Sequence, residues 1–161
     1  MILWFAGGSV WLSWMVFHDP AFDYRLVVAG ALLPDGPDAL AGGARILHTL
    51  AAGVVVLTGV MLATRHRRRL RRRLLAVPIG MFLHLLLDGA WTHRQLFWWP
   101  AFGRSFGHVP LPVTTRPALL LALEEATGAA LVWWMWARFR LAEPERRHRF
   151  FRTGYLGRDI L

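Results

Sequence analysis

Six side chains able to bind a divalent metal occur in three short groups along this chain. Asp35 and Asp38 stand in LLPDGPDAL, His48 in RILHT, and His84, Asp88 and His93 in HLLLDGAWTHRQ. Imidazole and carboxylate are the donor set of zinc, manganese and iron sites. The 161 residues contain no cysteine, which excludes thiolate ligands, a disulfide framework and a thiol nucleophile. His84 and Asp88 are four apart, so on a helix they share one face, set in otherwise apolar sequence. Each group has a plainer reading when taken alone. Asp-Gly-Pro-Asp makes a turn, with Asp38 capping the next helix. His48 alone is a hydrogen-bonded packing residue, and His84/Asp88 alone an ion pair or proton relay. Six such groups gathered at one end of a bundle favour a metal site.

A divalent ion there, zinc first and manganese or iron as alternatives, would activate water for attack on a phosphoryl or acyl centre, and six ligands suffice for two ions. Glu124, Glu125 and Arg45 are the catalytic candidates. Adjacent helical residues point about 100° apart, so the two glutamates cannot face one centre equally. One is expected to act as ligand or general base, and the other to pair with Arg25, Arg45 or Arg94. Arg45 and Arg94 could hold a phosphate bidentately.

The elements that must position these groups are apolar. Hydrophobic residues make up 55% of the chain and charged residues 18%, a balance outside the soluble norm. Four stretches approach the length of about 20 apolar residues that crosses a bilayer: 1–17, 46–64, 74–91 and 117–139. A fifth, 26–34, reads as a half-helix. The expected fold is therefore an all-α polytopic membrane bundle. One embedded domain spans residues 1–142, followed by a basic tail at 143–161.

All the basic residues are arginine, and the formal net charge is +9. Arg65 to Arg73 lie between the second and third spans, and Arg138 to Arg152 follow the fourth. The positive-inside rule places both blocks, and with them both termini, in the cytoplasm. Residues 18–45 and 92–116 then face outward. This placement favours topology and contact with anionic lipid over nucleic-acid binding. On this reading Asp88 lies about 5 Å from the outer end of its span and His84 one turn deeper. Glu124 lies about 10 Å in, and His48 about 15 Å along a helix that begins near Asp38. All fall in one outer layer.

The ordered motifs LLPDGPD, RILHT and HLLLDGAWTHRQLFWWP resemble those of the bacterial inner-membrane-bound, metal-dependent hydrolase family. The matching positions are Pro34, Asp35 and Asp38; Arg45, His48 and Thr49; and His84 and Asp88, with Phe97, Trp98 and Pro100 following. The likeness covers about residues 29–103 of the sequence. It implies a multi-pass protein of the bacterial inner membrane, a bound metal, and hydrolysis of a lipid or phosphoester near the outer face. Ala44 stands where many members carry histidine, and Gly36-Pro37 separates the aspartates where members have a single residue. His93 is the substitute for the missing ligand. The alternative is a non-catalytic membrane protein with a structural metal or a polar packing cluster. An ion pathway is disfavoured, since the inner ends of the second and third spans are apolar.

Overall fold

The computed structural model describes residues 1–40, 46–103 and 115–157, except for the side chains of Asp38 and Ala39. It is all helical, with no strand among the described residues. In chain order the helices are α1 (Ile2–Phe17), α2 (Tyr24–Leu32), α3 (Asp35–Leu40), α4 (Leu50–Ala63), α5 (Arg68–Leu74), α6 (Ala76–Leu87), α7 (Arg94–Phe97), α8 (Ala118–Arg138) and α9 (Pro144–Thr153). Single 3-10 turns at Ile46–His48 and Ala90–Thr92 join α3 to α4 and α6 to α7.

Uninterrupted apolar sequence gives α1, α4, α6 and α8, and local chemistry ends them. His18, in the left-handed region, and Pro20 close α1. Thr49 caps α4 by accepting from the Ala52 N–H at 3.0 Å. Left-handed Gly89 turns the chain after α6. Among the described helices, α8 alone is long and apolar enough to cross a membrane, where four were expected, and 6% of its apolar window is buried. The caps leave α1 at 16 residues and α4 at 14, about 24 and 21 Å long.

Side-chain pairings fix the directions. On α1 and α8, the Leu3 N–H donates to Glu125 Oε2 at 3.2 Å, and Trp14 meets Phe139 at 5.0 Å between ring centroids. The two helices are therefore parallel, and they cross where Gly7 faces Gly128. On α2 and α6, Asp23 meets Arg73 at one end and Ala31 meets His84 at the other, so these are parallel too. On α4 and α6, His48 lies by His84 and Gly53 by Phe82, which makes that pair antiparallel. Thus α1, α4 and α8 run from the histidine end to the arginine end, and α2 and α6 run back.

These helix directions put Met1 and the C-terminal helix at opposite ends of the bundle, where the expectation had both termini on one side. The Met1 amino group lies 3.1 Å from Glu125, whereas the Phe151 carbonyl accepts from Arg25 and the Pro20 carbonyl from the Leu156 N–H at the arginine end. The physical cause is a pair of acidic residues. Asp19 pairs with Arg72, and Asp23 with Arg25 and Arg73, drawing the α1–α2 turn to the arginine end. The expected half-helix is the nine-residue α2, packed against α1 and α6.

Asp23 is fully buried. Burial raises its pKa, but the hydrogen bonds and charges of Arg25 and Arg73 outweigh that and hold the carboxyl below its usual range. A depressed folded-state pKa means the pairing stabilises above the unfolded carboxyl value near 4, and that this is lost as pH falls through the folded value. Asp23→Ala is expected to cost about 3 kcal/mol, the low side for a broken buried pair because both arginines keep some water. Acid titration of the unfolding midpoint checks this: the wild type should lose stability below about pH 4 more steeply than the variant.

Candidate metal centre

At the histidine end, three elements bring one donor atom each to a common point. Asp35 opens α3, His48 ends the 3-10 turn before α4, and His84 sits in the last turn of α6. His48 Nε2 and His84 Nε2 are 3.2 Å apart, and Asp35 Oδ1 lies 3.4 Å from the first and 3.6 Å from the second. Donors tetrahedrally arranged at about 2.0–2.1 Å around one ion stand about 3.3 Å from one another. The three separations bracket that value. Both imidazoles are buried, while the Asp35 side chain keeps 37% of its surface, so the group opens to solvent on the aspartate side. This buried group could hold a metal ion.

His84 is oriented for that role. Its Nδ1 lies 2.7 Å from the Ala31 carbonyl oxygen. A carbonyl only accepts, so Nδ1 carries the proton and Nε2 presents its lone pair to the centre. Pro34 ends α2 and leaves its last carbonyls to such donors. Phe5 of α1 packs on the ring at 4.2 Å between centroids. The C-terminal ends of α2 and α6 both face the centre, and their partial negative charge favours a cation.

The backbone crossing of α2 and α6 sets the Ala31–His84 distance. A Cβ on Gly80 would fall 2.2 Å from the Val27 carbonyl oxygen, and one on Gly30 2.1 Å from that of Val77. Only glycine at both positions permits so close an approach.

His48 lies ahead of α4 and not ten residues inside a helix begun near Asp38. The cap at Thr49 starts α4 later, and Asp35–Leu40 forms its own short helix in place of the expected turn. Asp38 falls within α3 and does not cap the next helix; its side chain is outside the described residues, as is all of Arg45. Asp88 and His93 do not join the convergent group. Asp88 ends α6, and its Oδ1 is buried without a hydrogen bond, 3.6 Å from Arg116 Nη2. His93 lies beyond the Gly89 turn, exposed, with Nδ1 3.2 Å from Thr92 Oγ1.

The two glutamates divide as adjacent helical residues must, but with other partners than Arg25, Arg45 or Arg94. Glu124 pairs with Arg116 at 2.8 Å, and Glu125 with the Met1 amino group. Arg25 is held by Asp23 at the far end. Arg116 is the residue that sequence reasoning missed. Its guanidinium also donates to the Asp88 carbonyl at 2.8 Å, tying α8 to the end of α6. The available signal was an arginine eight residues before Glu124, outside both arginine blocks.

No family model, curated protein or solved structure matches this chain. The arrangement therefore has to be read from its own chemistry. Two imidazoles and one carboxylate suit a borderline divalent ion. Arg116 supplies a positive charge at Asp88, four residues after His84.

Proposed function

We propose that this chain is a multi-pass protein of the bacterial inner membrane that hydrolyses a lipid phosphoester, with a divalent metal held by Asp35, His48 and His84. The converging donor triangle carries this reading. Catalytic zinc sites commonly use three protein ligands and structural sites four, so the three donors among the described residues favour the enzyme over the structural alternative. Zinc suits the donor set best, and the likeness to the inner-membrane metal-dependent hydrolases agrees with it.

Apolar side chains on the outside of the passes support the membrane. Val16 on α1, Val55 and Leu62 on α4, and Leu119 and Trp133 on α8 are all exposed. A helix apolar all round belongs in a core or in lipid, and these faces have no protein cover. Exposed aromatics mark both ends: Trp91, Trp98 and Phe102 near the metal centre, Phe17 and Tyr155 near the arginines. Aromatic residues gather at membrane interfaces in this way. With the arginine end cytoplasmic, the metal centre and Met1 face outward.

A bound divalent ion supplies Lewis-acid polarisation and a more acidic water. The chain's own groups do the rest. Arg116, anchored by Glu124, receives the substrate phosphate as a charge-assisted partner. Asp88 Oδ1, buried without a hydrogen bond beside Arg116, accepts the proton of the attacking water.

Oriented vesicles test this. Hydrolysis of an impermeant aryl phosphate or of a phosphatidate is expected in right-side-out vesicles and not in inverted ones. Asp88→Asn should lower the rate about a hundredfold or more with metal content unchanged. Metal-loaded protein inert toward both substrates, or a fully active Asp88→Asn variant, would remove the hydrolase reading.

A further inference from the structure

At the arginine end, far from the metal centre, a cavity of about 390 Å³ opens between the α1–α2 turn and the nearly continuous helices α5 and α6. Its floor is apolar: Phe17, Phe22, Leu75 and Ile79. Its rim carries Arg68, Arg71 and Arg72, which at helical spacing share one face of α5. Asp19 is the one carboxylate in the lining, and Arg72 neutralises it. Among the described residues Arg68 and Arg71 have no acidic partner. Both flank an opening whose floor is greasy.

Topology alone requires positive charge on this side, but not an open groove with an apolar base. Paired guanidiniums above such a base match a phosphodiester joined to a hydrocarbon chain. We infer that this cavity binds the headgroup phosphate of an anionic phospholipid from the leaflet on the arginine side. The first acyl carbons rest on the Phe17–Ile79 floor. Inorganic phosphate would use the rim but gain nothing from the floor. The inference rests on the membrane reading and is independent of the metal.

The test uses the full chain in a neutral detergent, with unfolding followed by the fluorescence of its nine tryptophans. Phosphatidylglycerol is expected to raise the midpoint by a few degrees, and phosphatidylcholine and inorganic phosphate to leave it unchanged. In Arg68→Gln/Arg71→Gln the apparent affinity should fall about thirtyfold, with metal content preserved. Arg147→Gln/Arg149→Gln, which removes equal charge from α9, should bind as wild type. Native mass spectrometry of the wild type should retain phosphatidylglycerol over phosphatidylcholine, a readout that survives if the α5 variant fails to fold. Equal losses in both double variants, equal retention of the two lipids, or a full shift with inorganic phosphate would overturn the cavity. Extraction of the protein from cells into detergent-free buffer would overturn the membrane reading beneath it.

Discussion

His84→Ala is expected to abolish stoichiometric metal binding, weakening affinity by more than about a hundredfold. Loss of a residue that merely orients a ligand costs 10–100-fold, and His84 is itself one of three donors. Its Nε2 stands 3.2 Å from His48 Nε2 and 3.6 Å from Asp35 Oδ1, so its removal leaves two donors and an opening in the triangle. The same change leaves the Ala31 carbonyl without its donor and empties the space against Phe5, for a stability loss of about 1–3 kcal/mol. His84→Gln separates the two effects. Its amide can still donate to Ala31 but supplies no imidazole to the centre. The Gln variant should therefore keep most of the stability and still lose the metal. Competition with a chelator reads affinity, and thermal unfolding of metal-free protein reads stability. Metal affinity unchanged in both variants would remove His84 from the ligand set.

The second large effect is expected from a residue that touches no ligand. Gly80→Val should lower the unfolding midpoint and weaken metal binding together. A Cβ at Gly80 would fall 2.2 Å from the Val27 carbonyl oxygen and 2.8 Å from the Ala31 nitrogen, so α2 must move away from α6. That movement carries the Ala31 carbonyl off His84 Nδ1. Overpacking costs about 1–3 kcal/mol, and a displaced orienting carbonyl about 10–100-fold in affinity. Gly59→Ala on α4 is the control, because a Cβ there meets nothing within 4 Å. It should be neutral or stabilising by about 0.5–1 kcal/mol. Gly80→Val with wild-type affinity would mean that the Ala31 contact does not orient the histidine.

What the sequence discloses follows from what each signal measures. Continuous apolarity measures exclusion from water, and it located α8 within a residue at each end, 117–139 against Ala118–Arg138. Donor type and spacing named six candidates among seven histidines and ten acidic residues; Asp35, His48 and His84 converge, Asp88 and His93 do not, and the Asp38 side chain lies outside the described residues. Neither signal reports which end of a helix meets which neighbour. The direction of α2 turns on Asp19 and Asp23 meeting arginines about fifty residues away, and no periodicity records such a pair. Length was informative in the same place: a nine-residue α2 falls short of a bilayer by the usual count, and it packs directly on α6 through Gly30 and Gly80. The roles of Glu124 and Glu125 depended on Arg116, whose value lies in tertiary position and not in its surroundings in sequence.

The claim that Asp35, His48 and His84 converge on one ion is tested most directly by X-ray absorption at the metal edge of the purified, detergent-solubilised protein. The expected spectrum contains two imidazoles and oxygen donors with no sulfur, at one ion per chain, and one imidazole fewer in His48→Ala where metal is retained at excess. Wild-type protein that neither carries nor takes up a divalent metal would contradict the claim. So would a spectrum with two imidazoles that persists after both histidines are replaced.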